Sequence, residues 1–463
     1  MPGWHNDDMP RILSAKPDSR LIPLPWELPL TDWPTELLVA LPRGISRHVV
    51  RFIKVGNDVY AAKEVIETSA VHEYRMLQEL TREDTPAVEP LAVITDRLSA
   101  TGEPLDPVLV TRHLDFSLPY RALFSQSVRP DTVNRLLDAM VVLLARLHLI
   151  GFLWLDVSLS NILFRRDAGE FAAYLVDAET AERHEALTDG QREHDLMIAN
   201  TNLFGEFSDL EAGQLLDESL DPLALVDTIA TRYRDLWAEL TGVEEFPGTE
   251  LDRIESRVRR LNALGFDVAE LDITTSVDGS QVRIQPKVVD AGHHTRRLLR
   301  LTGLDVEENQ ARRLLNDLDT YRFRTNQQAL DEALVAHQWL TKCFEPVVTA
   351  VPTHLRGKRD AAQIFHEVLD YRWYASQRED RDVPLLDATL GYIRDVMEAL
   401  PDEAMDSRPM AEGTRQLANP FDPSQGFVDD EGAMPEDPWE VDADEVPEPT
   451  GMLDIAALRR GKG

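Results

Sequence analysis

One short stretch, GFLWLDVSLSNILF at 151–164, constrains the fold of this 463-residue chain more than any other. Its apolar residues call for a core, yet Asp156 and Asn161 stand inside it, five positions apart. A buried acid or amide is costly unless it finds a partner. The chain must therefore turn here, pinned by apolar residues on both sides, and present the two polar groups to something else.

The flanks support such a turn. Upstream, DTVNRLLDAMVVLLARLHLIG sets Val133, Leu136, Leu137, Met140, Val141, Leu144 and Leu147 on one broad face. That pattern predicts a core helix, with Asp131 as its cap and Gly151 as its stop. Downstream, NILFRRD and FAAYLVDAE are two short β-like runs separated by Asp-Ala-Gly, which predicts a hairpin ending near Asp177. Residues 36–115 are β-rich (ELLVAL, HVVRFIKV, DVYAAKEV, AVEPLAVITD, DPVLVTRHL), with GND at 56–58 as a hairpin turn. One helix interrupts them, SAVHEYRMLQELTRE, with Val71, Tyr74 and Leu77 on its inner face. The Pro- and Trp-rich start, LIPLPWELPLTDWP, reads as an extended arm that docks on this region.

Helical patterns dominate from about residue 190. DPLALVDTIATRYRDLWAELTG has Asp221 as a cap and Pro222 in the first helical position. ELDRIESRVRRLNALGF, HHTRRLLRLTG, DVEENQARRLLNDLDTYRF, QALDEALVAHQWLTKCF and RDAAQIFHEVLDYRWYASQ follow as further helices. VDGSQVRIQPKVV reads as a small β element with Asp-Gly at its turn. Residues 401–463 carry 16 acids against 5 Lys and Arg and cannot bury enough apolar surface to order themselves. Their last segment, MLDIAALRRGKG, has the pattern of one short helix suited to a protein partner. These shifts divide the chain into an arm (1–34), a β-rich lobe (35–115), a helical lobe (116–218), a mainly helical C-terminal domain (219–400) and a disordered acidic tail (401–463).

Composition narrows the function. A net charge of −34 disfavours general binding to nucleic acid or anionic membranes. The single cysteine, Cys343, excludes an intrachain disulfide and fits a reducing compartment. No apolar run reaches the ~20 residues of a membrane helix, and the N-terminus lacks the apolar core of a signal peptide. A cytoplasmic protein is expected. Only 7 lysines accompany 41 arginines, so Lys63, set in the apolar strand VYAAKEV, stands out.

In order, these pieces resemble the protein-kinase-like superfamily. VYAAKEV is similar to the strand whose lysine grips the nucleotide phosphates, and Glu73 sits where that lysine's helix-borne partner would. LDVSLSNILF matches the D-x-x-x-x-N catalytic loop, and LVDAE the strand end that delivers a metal-binding aspartate. The resemblance spans about residues 40–215 and implies an α+β, bilobal domain with a β-rich N-lobe and a helical C-lobe. It also implies ATP and Mg²⁺ (or Mn²⁺) as cofactors. Lys63 and Glu73 would orient phosphates, Asn161 and Asp177 would hold the metal through hard oxygens, and Asp156 would act as the base. A finer likeness is to the lipopolysaccharide-kinase and small-molecule-kinase branch, whose loop often reads H-x-D-x-x-x-x-N without a lysine two positions after the aspartate; here that position is Ser158. The whole arrangement resembles actinobacterial proteins that join such a domain to a helical domain of unknown function, a likeness carried by LRGKRDAAQIFHEVLDYRWYASQ.

Some positions depart from the pattern. Trp154 and Leu155 replace the usual His-Arg, Asp177 is followed by Ala178-Glu179, and LPRGIS offers only Gly44 where a glycine-rich loop would lie. Two outcomes stay open: a phosphotransferase, and a nucleotide-binding pseudokinase scaffold whose acidic tail recruits a protein partner. The acceptor (a small molecule, a glycolipid or a protein hydroxyl) is not set by the sequence. Glu64 and Glu79 compete with Glu73 for the lysine. His148 reads as a helix-end histidine rather than a ligand. His194-Asp195 either supports the loop from below or begins an exposed helix. The basic cluster of His293, His294, Arg296, Arg297 and Arg300 reads as a solvated face or a dock for acidic segments, ahead of a nucleic-acid site.

Overall fold

The structure is a computed structural model and describes residues 10–39, 41, 48–56, 58–124, 129–247, 250, 252–275, 281–401 and 403. The expected Asp-Gly turn, the loop around Gly44 and the expected acidic tail beyond Glu403 lie outside the described residues, as does Asn57 of the GND turn.

The β-rich segment forms one antiparallel sheet from β1 (Arg11–Leu13), β2 (Leu38–Val39), β3 (Val50–Val55), β4 (Asp58–Glu64), β5 (Pro90–Thr95) and β6 (Val108–Arg112). The strand order is β1-β5-β6-β4-β3-β2. Helix α1 (Glu67–Arg82) crosses between β4 and β5 and packs on β5. The N-terminal arm supplies the edge strand β1 and buries Leu21, Trp26, Leu30 and Trp33 against Ile53, Tyr60, Ala62 and Ile94. Arg97 locks that arm down. Its buried guanidinium donates to the carbonyls of Trp26 and Leu28 and pairs with Glu64 at 3.0 Å. Glu64 is thereby removed from the contest for Lys63, and Glu79 pairs instead with Arg82.

The helical lobe starts with β7 (Ser117–Pro119), α2 (Tyr120–Leu123) and α3 (Pro130–Leu149). Asp131 does not cap α3. Arg129 occupies the cap and Pro130 the first helical position, because proline's missing N–H costs nothing there. Gly151 takes φ +77°, and a Cβ there would strike the His184 carbonyl, so glycine is required where the chain turns out of α3. Next come β8 (Phe152–Leu153), β9 (Ile162–Asp167), β10 (Glu170–Leu175) and β11 (Glu182–Arg183). β9 and β10 form the expected hairpin, in register from Leu175↔Ile162 to Glu170↔Asp167. Two long helices follow, α4 (Asp189–Ala212) and α5 (Pro222–Thr241), both packed with α3 in one core.

That core continues through Leu225, Ile229, Tyr233 and Leu240 to Leu261 and Phe266. The expected small β element is larger than its sequence suggests. β12 (Glu244–Pro247), β13 (Phe266–Thr275) and β14 (Gln281–Ala291) form a sheet in the order β12-β14-β13, with α6 (Asp252–Ala263) before β13. A second core gathers α7 (His293–Thr302), α8 (Glu308–Arg324), α9 (Glu332–Trp339), α10 (Glu345–Ala350), α11 (Ala361–Glu379) and α12 (Leu385–Asp395). Its centre is Trp339, Phe365, Val368, Tyr392 and Met397. Among the described residues no helix is long and apolar enough to cross a membrane.

Candidate active site

Strand β4 alternates, so Ala62 enters the sheet's core while Lys63 points to the opposite face. Helix α1 meets that face with Ala70, Glu73, Leu77 and Leu80, a stripe at helical spacing. Glu73 is the one acid on the stripe and is 1% exposed, so it needs a cation. Lys63 supplies it: Nζ stands 3.0 Å from Glu73 Oε2 and 2.7 Å from Asp177 Oδ2. Glu179 Oε2 lies 3.8 Å from the same nitrogen and 3.0 Å from His48 Nε2. Burial would lower the Lys63 pKa, but the charges of Glu73 and Asp177 outweigh it and raise it above the ordinary lysine value. Burial, reinforced by the Asp177 charge, raises the Glu73 carboxyl above the ordinary range, and the Lys63 cation opposes that rise. His72, next to Glu73 on α1, sets Nε2 2.8 Å from the Ala181 carbonyl, so α1 also touches the segment after Asp177.

The loop carrying Asp156 and Asn161 is held from beneath by α4. Asp195, fully buried, accepts the backbone N–H groups of Trp154 (2.9 Å) and Leu155 (2.7 Å) and meets His148 Nε2 at 3.1 Å. His148 completes this support through Tyr233 Oη at 2.5 Å, and burial lowers its pKa, favouring the neutral imidazole. Leu155 carries φ +64°, a strained conformation for a leucine, immediately before Asp156. Further along α4, Asn202 donates to the Val157 carbonyl at 3.2 Å, and Glu206 accepts the N–H groups of Leu159 (2.6 Å) and Ser160 (3.0 Å). Asp195, Asn202 and Glu206 are spaced i, i+7, i+11, one face of the helix. The sequence pointed to Asp195 but not to Asn202 or Glu206; that spacing was the available signal.

Within the loop, Asn161 Nδ2 donates to the Asp156 carbonyl (3.0 Å) and to Asp156 Oδ2 (2.9 Å). The amide nitrogen is thus committed, and Oδ1 is the atom left to act as a hard ligand. Asn161 and Val176 are joined by a backbone hydrogen bond of 3.0 Å at the open end of the β9–β10 hairpin, which brings Asp177 alongside. The departures from the kinase pattern are structured. Trp154 is 1% exposed and its indole N–H donates to the Asp177 carbonyl at 2.9 Å, while Thr180 Oγ1 donates to the Trp154 carbonyl at 3.1 Å. The position that usually holds histidine therefore ties the loop to the aspartate segment.

The structure brings all five expected residues into two adjoining groups, Lys63–Glu73–Asp177 and Asp156–Asn161. Among the described residues no cluster of three or more His, Cys, Asp or Glu has metal-binding geometry. A carboxylate and an amide oxygen nonetheless suit Mg²⁺, which takes one or two protein oxygens and completes its octahedron with phosphates and water. The residues fit the metal to that extent.

A β-rich lobe presenting a paired lysine, set over a helical lobe with a D-x-x-x-x-N loop and an aspartate after a hairpin, defines a kinase-like domain. Residues 48–203 match the model of the lipopolysaccharide kinase (Kdo/WaaP) family, so the kinase-like domain is similar to that branch. Residues 235–397 match a domain of unknown function, DUF4032. Among solved structures 527 chains match. One, described as WaaP in complex with acyl carrier protein, is 16% identical, with 49% of this chain and 99% of that chain covered and a TM-score of 0.31. A search of curated proteins finds no match.

Proposed function

We propose that this domain transfers the γ-phosphoryl group of ATP, with Mg²⁺ or Mn²⁺, to an acceptor hydroxyl. The observation that carries the reading is the buried lysine held between Glu73 and Asp177 at 3.0 and 2.7 Å, beside the Asp156–Asn161 loop. Phosphoryl transfer needs positioning and charge neutralisation more than covalent help from the protein. Lys63, kept cationic by its neighbours, would hold phosphate oxygens, and Glu73 would fix the lysine's position. Asn161 Oδ1 and the Asp177 carboxylate would hold the metal, which would neutralise charge on the phosphates. Asp156, fixed by the Asn161 amide, would take the acceptor's proton. The acceptor belongs to a class broad enough to include a small molecule, a glycolipid or a protein. ATP use and the single cysteine support a cytoplasmic reaction.

Among the described residues Trp154, which departs from the usual histidine, fills its position with a hydrogen bond to the Asp177 carbonyl and so supports an intact catalytic loop over the pseudokinase alternative. A thermal-shift titration read beside a turnover assay separates the two. ATP should raise the melting temperature of the unaltered chain when Mg²⁺ or Mn²⁺ is present. Asp177→Ala should remove the metal-dependent part. Asp156→Ala should keep nucleotide binding and slow transfer or hydrolysis by about 100-fold or more. Tight binding without turnover, unaltered by Asp156→Ala, would contradict the enzyme reading.

A further inference from the structure

The β9–β10 hairpin joins the two proposed metal ligands. Asn161 precedes β9 and Asp177 follows β10, while the turn lies at the far end, about 20 Å away for a six-residue strand. That turn is hydrogen-bonded to two helices of the second core, α8 and α11. Asp167 Oδ1 accepts the N–H of Gln310 at 2.7 Å, and Oδ2 accepts the N–H of Asn309 at 3.1 Å and its side-chain amide at 2.8 Å. A carboxylate from the kinase-like domain thus satisfies the N-terminus of α8, where free N–H groups and the helix dipole favour an anion. Gln363 of α11 accepts the N–H of Ala168 at 3.0 Å, and Gln310 donates to the Arg166 carbonyl at 3.1 Å. Arg166 itself reaches Glu403 at 2.8 Å. On the other side Arg135 of α3 donates to the Gly169 carbonyl at 2.7 Å.

The turn is also strained. Ala168 has φ +52° and Gly169 φ +89°, and a left-handed alanine persists only where its surroundings hold it. Here the Gln363 side chain does so. A free two-residue turn of this kind would carry Asn or Asp before its glycine.

We infer that the C-terminal helical domain is an in-cis brace for metal binding, with Asp167 and Gln363 as positioning residues that set the placement of Asn161 against Asp177 through the hairpin. The inference rests on the proposed metal-dependent nucleotide site. A two-stranded ribbon alone is pliable, and clamping its turn fixes the twist with which its open end presents the two ligands. The second domain supplies that clamp.

The test uses the full chain and reads metal-dependent ATP binding by thermal shift, with hydrogen exchange over residues 161–177 as a second measure. Asp167→Ala and Gln363→Ala should raise the Mg²⁺ concentration at half-effect about 3- to 10-fold, with excess Mg²⁺ restoring the full shift. Exchange at the Val176 amide should quicken. Asp331→Ala, which removes the cap of α9 far from the hairpin, should lower the melting temperature and leave the Mg²⁺ midpoint in place. Should Asp167→Ala fail to fold, Gln363→Ala, which removes a single hydrogen bond to the turn, decides the matter. An unchanged midpoint in the variants, beside normal metal-dependent binding in the unaltered chain, overturns the brace and leaves the proposed function standing. No metal-dependent binding in the unaltered chain overturns both.

Discussion

Single residues carry most of the chemistry, and two of them make sharp expectations. Asp195 holds two backbone N–H groups of the loop and the His148 ring from a fully buried position. Asp195→Ala should destabilise the protein by about 3 kcal/mol or more, because buried donors lose a charged acceptor. Chemical denaturation checks this, and a loss under about 1 kcal/mol would contradict it. Trp154→Phe keeps the bulk and deletes the indole donor to Asp177, so it should cost about 1–2 kcal/mol and slow turnover more than it weakens ATP binding. The core residues of the loop were legible in the sequence, because only partnered polar groups survive in such an apolar run. The lysine's partner was less so: Glu64, Glu73 and Glu79 looked alike as acids. Glu73 differs in lying on the apolar stripe with Ala70 and Leu77, a position where an acid must be paired. Asn202 and Glu206 were missed because polar residues on a long helix usually face water.

At the scale of elements, the decisive unit is the hairpin. Its strands were readable from alternation and from Asp-Ala-Gly, but not its burial at the turn. Asp167 looked like an ordinary turn residue; its partners, Asn309 and Gln310, lie more than 140 positions away. Complete burial and the nearby Glu307 charge push the Asp167 carboxyl up to about 7, and burial raises Glu307 as well. The folded protein therefore keeps protons that the unfolded chain gives up. The stability Asp167 contributes in this way is full below pH ~4 and is lost as pH rises through about 7. The melting temperature should fall between about pH 4 and 7, and Asp167→Asn should flatten that fall. An equal slope in the variant would show that Asp167 does not titrate as its surroundings indicate. The extent of β13 and β14 also escaped the sequence. Polar residues and Pro286 interrupt their alternation, and a bulge near Glu270 shifts their register.

At the scale of the whole molecule, the two cores meet at the hairpin and the N-terminus of α8. The basic cluster of α7 serves this assembly: His294 pairs with Glu308 at 2.6 Å and Arg297 with Glu332 at 2.6 Å, so acids of the same chain take up its charge. Burial pushes the Cys343 thiol up to about 11, which keeps it a poor nucleophile at neutral pH. The order of elements made the kinase-like domain legible, since each motif sat on the local structure it needed. The second domain was legible as helices and one small β element, but not as a partner of the hairpin, because what it grips is fixed by contacts distant in sequence. In the proposed function Asn161 and Asp177 would hold a metal beside ATP phosphates bound by Lys63. Crystals of the full chain grown with Mn²⁺ and a non-hydrolysable ATP analogue test it most directly, through the anomalous signal of the metal. One Mn²⁺ peak contacting Asn161 Oδ1 and the Asp177 carboxylate is expected, with analogue phosphates against Lys63. An analogue bound elsewhere, or bound here with no metal between those two residues, would contradict it.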